Sequence, residues 1–188
     1  MADSFIARIQ QNPVVAAVSD LSRLEAAIQS PCALIFMLTG TILTLPEAVA
    51  RIHQAGKDVC IHFDLMEGFA RDLAALKYIK QELNPAGIIT TRVNLIKHAR
   101  ELGMNSIQRV FMLDSLSVES AIKSISSTRP SAIELLPGIL PRVVQRVGGA
   151  TKIPIIAGGL IEYKEDIIAA LKAGAVGIST TKEELWYQ

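Results

Sequence analysis

The sequence has few of the features that mark secreted or strongly nucleic-acid-binding proteins. It contains two cysteines, Cys32 and Cys60, among 188 residues, which is too few for the disulfide framework of a small secreted domain. We therefore expect both to be reduced core residues of a cytoplasmic protein. The chain carries 19 Lys and Arg against 18 Asp and Glu. A net charge of +1 gives no global basic field for DNA or RNA, although a local cationic patch remains open.

The sequence also lacks the patterns of an export signal or a membrane span. Its first residues, MADSFIARIQQNP, include an acid at Asp3 and no continuous apolar region. The uncharged stretch 31–46 is interrupted by Thr39, Gly40 and Thr41, and a membrane span needs about 20 predominantly apolar residues. We expect a soluble protein without a membrane partner.

Half of the residues are hydrophobic and 20% are charged, a composition that argues against disorder. No low-complexity tract or linker divides the chain, so we expect one domain over residues 1–188. Eight short apolar runs recur every 20 to 30 residues or so, and segments with helical spacing separate them. The runs cover residues 14–18, 33–38, 58–64, 87–91, 106–113, 132–136, 154–158 and 175–179.

This alternation predicts an α/β fold, and we favour a compact (β/α)8 TIM-type barrel with short loops. Continuous apolar runs are typical of parallel strands that are buried on both faces. Barrels commonly have about 200 residues or more, so we expect minimal loops and a short last helix at residues 182–188. Gly56, Gly103 and Gly174 stand where left-handed helix ends are expected. The alternative fold is an open, doubly wound sheet.

In a barrel, ligands bind at the carboxyl ends of the strands. Gly158 and Gly159 follow the seventh predicted strand, and Ser179 and Thr180 end or follow the eighth. Glycine amides approach an anion closely because glycine has no Cβ, and hydroxyls add donors, so this corner predicts a phosphate site. The alternative is a tight turn followed by a helix cap. Lys182 is placed to help neutralise a phosphate.

Other ionisable residues follow or lie within neighbouring strands. Arg109 and Glu134 lie inside apolar strands, where an unpaired charge is costly, so they form either a structural ion pair or part of a polar ligand site. Arg92 follows a strand and could close over an anion or lie in solvent. His62 and Asp64 are two apart and would point to one side of a strand, as an acid–base pair or as metal ligands. We expect no metal, because no third ligand has suitable spacing.

The motifs of several enzyme classes are missing. No lysine lies in the carboxyl half of a predicted strand, which leaves a Schiff-base mechanism without a nucleophile. The chain has neither a Walker loop nor a nucleophile elbow, and its single GG pair is not a dinucleotide-binding fingerprint. We therefore assign no catalytic residue and no cofactor from the sequence.

An ordered set of segments resembles a known family. The segments are HFDLMEGFARD (62–72), PAGIITTRVN (85–94), IQRVFMLDS (107–115), IELLPGILP (133–141), IPIIAGGLIEYKEDIIAALKAGA (153–175) and ELW (184–186). Together they resemble the glycerol-3-phosphate-responsive antiterminators of bacterial glycerol operons. The resemblance implies a TIM-barrel regulator, and not an enzyme, that binds sn-glycerol 3-phosphate and acts on leader mRNA of glycerol-uptake genes.

Carried onto this chain, the resemblance suggests that Gly158, Gly159, Ser179 and Thr180 hold the phosphate. Geometry alone suggests that four charged residues read the glycerol end or line the pocket: Asp64, Arg92, Arg109 and Glu134. Three groups of cations are candidates for RNA contact, although each also fits a solvated helix face. They are Lys97, His98 and Arg100; Arg142, Arg146 and Lys152; and Lys77 with Lys80.

Two other function classes stay open at this point. One is a small isomerase, aldolase or synthase that acts on a sugar or glycerol phosphate with Asp64 or Glu134 as general base. The other is a binding protein that signals through a protein partner. Homo-oligomer formation is compatible with each of them.

Overall fold

The structure, a computed structural model, describes residues 2–188. Eight parallel strands form a closed barrel in the order of the chain, β1 to β8, with β8 paired to β1. The strands are Val14–Val18, Leu34–Met37, Asp58–His62, Gly87–Thr90, Asn105–Phe111, Ala132–Leu136, Ile155–Gly158 and Gly177–Thr180. The prediction of a compact (β/α)8 TIM-type barrel is confirmed, and the doubly wound alternative was wrong because β1 and β8 pair and close the sheet.

Eight α-helices accompany the strands in the described residues. They are α1 (Ala2–Gln11), α2 (Leu24–Gln29), α3 (Leu45–Gln54), α4 (Leu73–Tyr78), α5 (Val93–Glu101), α6 (Ser115–Thr128), α7 (Pro141–Ala150) and α8 (Lys164–Lys172). The short length of the chain is accommodated by small elements. Helix α2 has six residues, and β8 is followed by a 3₁₀ helix at Glu183–Tyr187, where the sequence predicted a short helix.

Side chains that alternate along each strand divide the core into two parts. Inward-pointing residues such as Phe36, Ile89 and Ile156 fill the barrel, and outward-pointing residues such as Ile35, Ile88 and Ile155 pack under the helices. Both sets are almost fully buried. The barrel is therefore a packed core, and only its two ends leave room for ligands.

Helix α1 lies at the amino-terminal end of the barrel, a feature that the sequence analysis did not anticipate. Its Phe5 and Ile9 side chains are buried in the interior cluster of the barrel. Gly177, the first residue of β8, leaves the space that Ile9 fills, because a Cβ at this position would overlap the Ile9 side chain. This packing fills the barrel interior at the amino-terminal end, and the opposite end is the mouth.

The third strand is shorter than predicted. The chain leaves β3 after His62 and forms a 3₁₀ turn at Phe63–Leu65. The expectation that His62 and Asp64 point to the same side of one strand was therefore wrong, because the period-two alternation ends where the turn begins. His62 is buried at the end of the strand, and Asp64 lies in the turn.

Two expectations about single residues are confirmed. Cys32 and Cys60 are buried and form no disulfide. The glycines that follow α3, α5 and α8, which are Gly56, Gly103 and Gly174, all have positive φ. None of the helices within residues 2–188 is both long and apolar enough to cross a membrane.

Candidate functional site

The mouth of the barrel contains a small cavity between the ends of β1, β2, β5, β6, β7 and β8. Its volume is about 120 Å³, well below the roughly 300–1,000 Å³ typical of pockets for drug-sized ligands. The lining residues are Ala17, Leu38, Arg109, Glu134, Leu136, Gly159, Leu160, Ile161, Ser179, Thr180 and Thr181. The structure thus brings five of the eight predicted site residues to one cavity: Arg109, Glu134, Gly159, Ser179 and Thr180.

A buried ion pair forms the floor of this cavity. The Arg109 Nε–H donates to Glu134 Oε2 at 2.7 Å, and the Ser179 hydroxyl donates to Glu134 Oε1 at 2.7 Å. The side chains of Arg109 and Glu134 are 11% and 2% exposed. Both carboxylate oxygens have partners, as a buried charge requires. Arg109 keeps its guanidinium at the edge of the cavity, where further N–H donors can meet a polar ligand.

Gly158 is required by packing in this corner. A Cβ on Gly158 would overlap the Ser179 hydroxyl and lie 3.0 Å from Glu134 Oε1. The carbonyl oxygen of Gly158 also accepts a hydrogen bond from the Gly138 amide at 2.6 Å. Gly158 is buried and is not among the residues that line the cavity, so its place in a phosphate site stays a prediction.

The two hydroxyls that were predicted to bind phosphate already have protein partners. Ser179 donates to Glu134, and Thr180 donates to the carbonyl of Ile161 at 3.0 Å while accepting from the Lys182 amide at 3.1 Å. Within residues 2–188, four residues that line the cavity have amides that donate to no backbone acceptor: Gly159, Leu160, Ile161 and Thr181. These amides are donors that the corner can offer to an anion.

Leu160 is a feature of the site that the sequence analysis missed. It has φ of +60°, in the left-handed region that bulky residues rarely adopt, and its side chain is 63% exposed beside the cavity. Gly159, the residue before it, has φ of +74°, so two successive left-handed residues shape the turn after β7. The paired glycines of the sequence were the available signal, but they did not indicate that the strain continues into Leu160.

Asp64 and Arg92 lie on the other side of the mouth and do not line the cavity. Asp64 accepts from the Thr90 hydroxyl at 2.7 Å and from the Thr91 amide and hydroxyl at 2.7 and 2.8 Å. Its carboxylate is 3.7 Å from Arg92 Nε. Burial would raise the pKa of Asp64, but the hydrogen bonds from Thr91 and Thr90 lower the pKa overall.

His62 is buried with an unsatisfied ring nitrogen. Its Nδ1 has no hydrogen-bond partner among the described residues. Burial, followed by the positive charge of Arg109, lowers the pKa of His62 from 6.5 to about 4. The ring is therefore neutral at physiological pH. No group of three His, Cys, Asp or Glu side chains in residues 2–188 is placed to hold a metal ion.

A larger cavity of about 620 Å³ lies at the opposite end of the barrel, between Arg8, His53, Asp58, Lys80 and Asn105. Arg8 and Asp58 are 2.6 Å apart and form a partly exposed ion pair. Three helices end there, and the partial negative charges of their terminal carbonyls offset the positive charge of the few cations, which disfavours an anion at this end. We place the candidate site in the smaller mouth cavity, because buried polar groups converge there and barrels bind ligands at that end.

The candidate RNA-contacting cations are distributed over several helices. Arg100 donates to the carbonyl of Thr128, and Arg146 lies 3.6 Å from Glu119. Arg142 and Lys152 stand at opposite ends of α7, so their group spans the length of the helix. Of the aromatic residues that could stack on bases, Tyr163 and Tyr187 are exposed, whereas Trp186 is buried.

Comparisons with known proteins agree with this architecture. The family described as glycerol-3-phosphate responsive antiterminator matches residues 14–186. The uncharacterized protein YgcP of Escherichia coli K12 is 39% identical over 95% of this chain and 93% of its own. Among solved structures, the glycerol uptake operon antiterminator regulatory protein of Listeria monocytogenes has a TM-score of 0.90 and 34% identity, covering 93% of this chain and 95% of its own. A glycerol uptake operon antiterminator-related protein of Thermotoga maritima has a TM-score of 0.83 and 28% identity, covering 92% and 96%.

Proposed function

Because this chain belongs to the glycerol-3-phosphate responsive antiterminator family, we propose that it binds sn-glycerol 3-phosphate in the mouth cavity and acts on leader mRNA of glycerol-uptake genes. In this proposal the protein is a cytoplasmic regulator, and the ligand controls its affinity for RNA. The phosphate is held by the corner that contains Gly158, Gly159, Ser179 and Thr180. Arg109 and Glu134 read the glycerol hydroxyls.

The observation that carries this proposal is the combination of size and chemistry in the cavity. A volume of about 120 Å³ suits a three-carbon phosphate ester and excludes most larger ligands. The unpartnered amides of Gly159, Leu160 and Thr181 suit the phosphate. The Arg109–Glu134 pair offers donor and acceptor groups for hydroxyls.

A regulatory function is also supported by the state of the two carboxylates that could act as a general base. Both oxygens of Glu134 accept hydrogen bonds from Arg109 and Ser179. Both oxygens of Asp64 accept bonds from Thr90 and Thr91. A general base must reach the proton that it removes, and these carboxylates are oriented toward protein donors.

Calorimetric titration with sn-glycerol 3-phosphate tests the ligand assignment. We expect binding to the wild-type protein and no binding of glycerol, because glycerol lacks the phosphate.

The exposed Thr181 provides a test of the charge at the phosphate corner. Thr181→Glu places a negative charge beside the phosphate and should weaken binding about tenfold or more relative to Thr181→Gln, which has a similar size without the charge. Equal affinities of the two variants would rule out a phosphate at this corner.

The RNA assignment is tested by the affinity for the leader transcript of the glycerol-uptake genes from the same genome. With saturating glycerol 3-phosphate, we expect the affinity to change by about 5- to 150-fold, as coupling free energies of roughly 1–3 kcal/mol produce. Affinity should fall as salt rises if Lys or Arg contact phosphates. Identical affinities with and without the ligand would contradict a ligand-controlled regulator.

A further inference from the structure

Large hydrophobic side chains are concentrated on the mouth of the barrel, in the loops that follow the strands. Six of them, at the end of β5 and on the segments after β5, β6 and β7, form what we call the apolar arc: Phe111, Leu113, Leu116, Ile139, Leu160 and Tyr163. Leu113 and Leu116 are 83% and 72% exposed, and Tyr163 is 62% exposed. Surface leucines that occur singly need no explanation, but a group of this size on adjacent loops indicates an interaction site.

Hydrogen bonds join the three segments of the apolar arc into one surface. The Met112 amide donates to the carbonyl of Leu136 at 2.7 Å, which connects the segments after β5 and β6. The Gly138 amide donates to the carbonyls of Gly158 and Gly159 at 2.6 and 3.1 Å, which connects the segments after β6 and β7. The apolar side chains are thus carried on a preformed backbone, so a partner could bind them at little cost in conformational entropy.

The area of the apolar arc is suited to association between proteins. With exposed fractions of 38% to 83%, six large side chains of roughly 150–250 Å² each present about 600 Å². This is the upper end of the range for the largest apolar patch on a monomer, about 300–600 Å². It is also most of the roughly 800 Å² that each partner contributes to a standard interface.

The charges around the apolar arc argue against RNA as the occupant. Asp114, Glu162 and Glu165 are exposed beside it, and the nearby cations are Arg142, Lys164 and Lys182. This surface has no excess of positive charge with which to attract phosphates. Acids and bases on one patch can pair across a two-fold axis, where each residue of one copy meets a different residue of the other.

We propose that two copies of this chain associate through the apolar arc, mouth to mouth. Leu160 connects the interface to the ligand site, since it lines the mouth cavity and belongs to the apolar arc. The second copy therefore covers the side of the cavity that is walled by the segment after β7. The small cavity of each copy is then shielded from solvent by the interface.

Sedimentation velocity of the wild-type protein and two variants at about 50 μM tests this proposal. The wild-type protein should sediment as a dimer with twice the 20.3 kDa chain mass. Leu113→Asp/Leu116→Asp should sediment as a monomer, with the dimer dissociation constant raised by at least about 30-fold, as for hot-spot residues. Both leucines are exposed, and Leu116 lies in the first turn of α6, where an acid is favourable. The variant should therefore keep the far-UV circular dichroism of the wild-type protein.

Ile168→Asp is the matched control, because Ile168 is a 41% exposed residue in the middle of α8, outside the apolar arc. It should remain a dimer. The proposal is overturned if the wild-type protein is a monomer at this concentration, if the double variant remains a dimer, or if Ile168→Asp dissociates as well. A monomeric wild-type protein whose leader-RNA affinity falls in the double variant would assign the apolar arc to RNA. If the wild-type protein is a monomer and still binds glycerol 3-phosphate, the dimer proposal fails but the proposed function stands.

Discussion

At the scale of single residues, the mouth shows how a buried charge is held. Glu134 has almost no solvent contact, and its carboxylate depends on Arg109 of the preceding strand and Ser179 of β8. Removing either partner would leave part of a buried charge without compensation, which costs several kcal/mol in measured cases. The sequence left two alternatives for Arg109 and Glu134, an ion pair or a ligand site. The structure shows the ion pair and places it on the floor of the cavity.

His62 leads to a prediction about pH. Its pKa is about 4 in the folded protein, against 6.5 for an exposed histidine. Well above pH 6.5 both states are neutral and His62 has almost no effect. As the pH falls from 6.5 toward 4, only the unfolded state gains the proton, so the folded state loses stability. By this linkage the His62 contribution at pH 5 should be about 2 kcal/mol less favourable than at pH 7.5.

Urea unfolding of the wild-type protein and of His62→Leu at pH 7.5 and pH 5 checks this prediction. The variant removes the titrating ring and the unsatisfied Nδ1 at similar volume. Its free energy of unfolding should therefore change less between the two pH values. If the wild-type protein and His62→Leu lose the same stability on acidification, His62 is not the group responsible.

At the scale of elements, Asp64 connects two neighbouring βα loops. It lies in the 3₁₀ turn after β3, and its partners Thr90 and Thr91 end β4 and precede α5. Asp64, one of the predicted site residues, therefore acts as a brace: its hydrogen bonds hold the loop after β3 against the loop after β4. A role in reading the glycerol hydroxyls stays a prediction for Asp64 and Arg92.

Replacing this carboxylate should loosen the loop after β4. Asp64→Asn retains the shape but converts one acceptor oxygen into a donor, so the bonds from Thr90 or Thr91 are lost. We expect a loss of about 1–3 kcal/mol in the free energy of unfolding and faster hydrogen exchange at residues 91–96. Asp72→Asn is the control. Asp72 caps α4 through the Ala75 amide, and asparagine caps helices about as well as aspartate, so little change is expected. Unchanged exchange in Asp64→Asn would contradict the brace.

The elements also show where sequence patterns lose accuracy. The predicted strands at 14–18 and 132–136 agree with β1 and β6 at both ends, whereas the third strand stops two residues early at His62. Apolar character continues through Phe63, which is fully buried in a 3₁₀ turn. Because turn and strand bury similar residues there, the composition of 58–64 did not distinguish them. Helix α1 was missed although its Phe5 and Ile9 are buried.

At the scale of the whole molecule, the two ends of the barrel differ in what they can bind. At the amino-terminal end, helix α1 packs apolar side chains into the barrel interior. The mouth combines a small polar cavity with a rim of exposed hydrophobic residues. In our two proposals, ligand binding and self-association use the same face. RNA binding would use the cations on the helices around it, and a dimer would present two such sets.

The sequence by itself determined the order of the eight strands and the helices between them, and the family, because local hydrophobic periodicity and ordered motifs encode them. Closure of the sheet into a barrel was favoured by the sequence and decided by the pairing of β1 with β8. It also placed the candidate residues at one end, since parallel strands share one direction. Only the tertiary structure decided which of them meet. Gly158 of β7 leaves the space in which Ser179 of β8 reaches Glu134 of β6, whereas Asp64 and Arg92 lie after β3 and β4, outside that cavity. Strand register, the rotation of hydroxyls toward protein acceptors and the left-handed Leu160 all arise from contacts between residues distant in sequence, which local patterns do not specify.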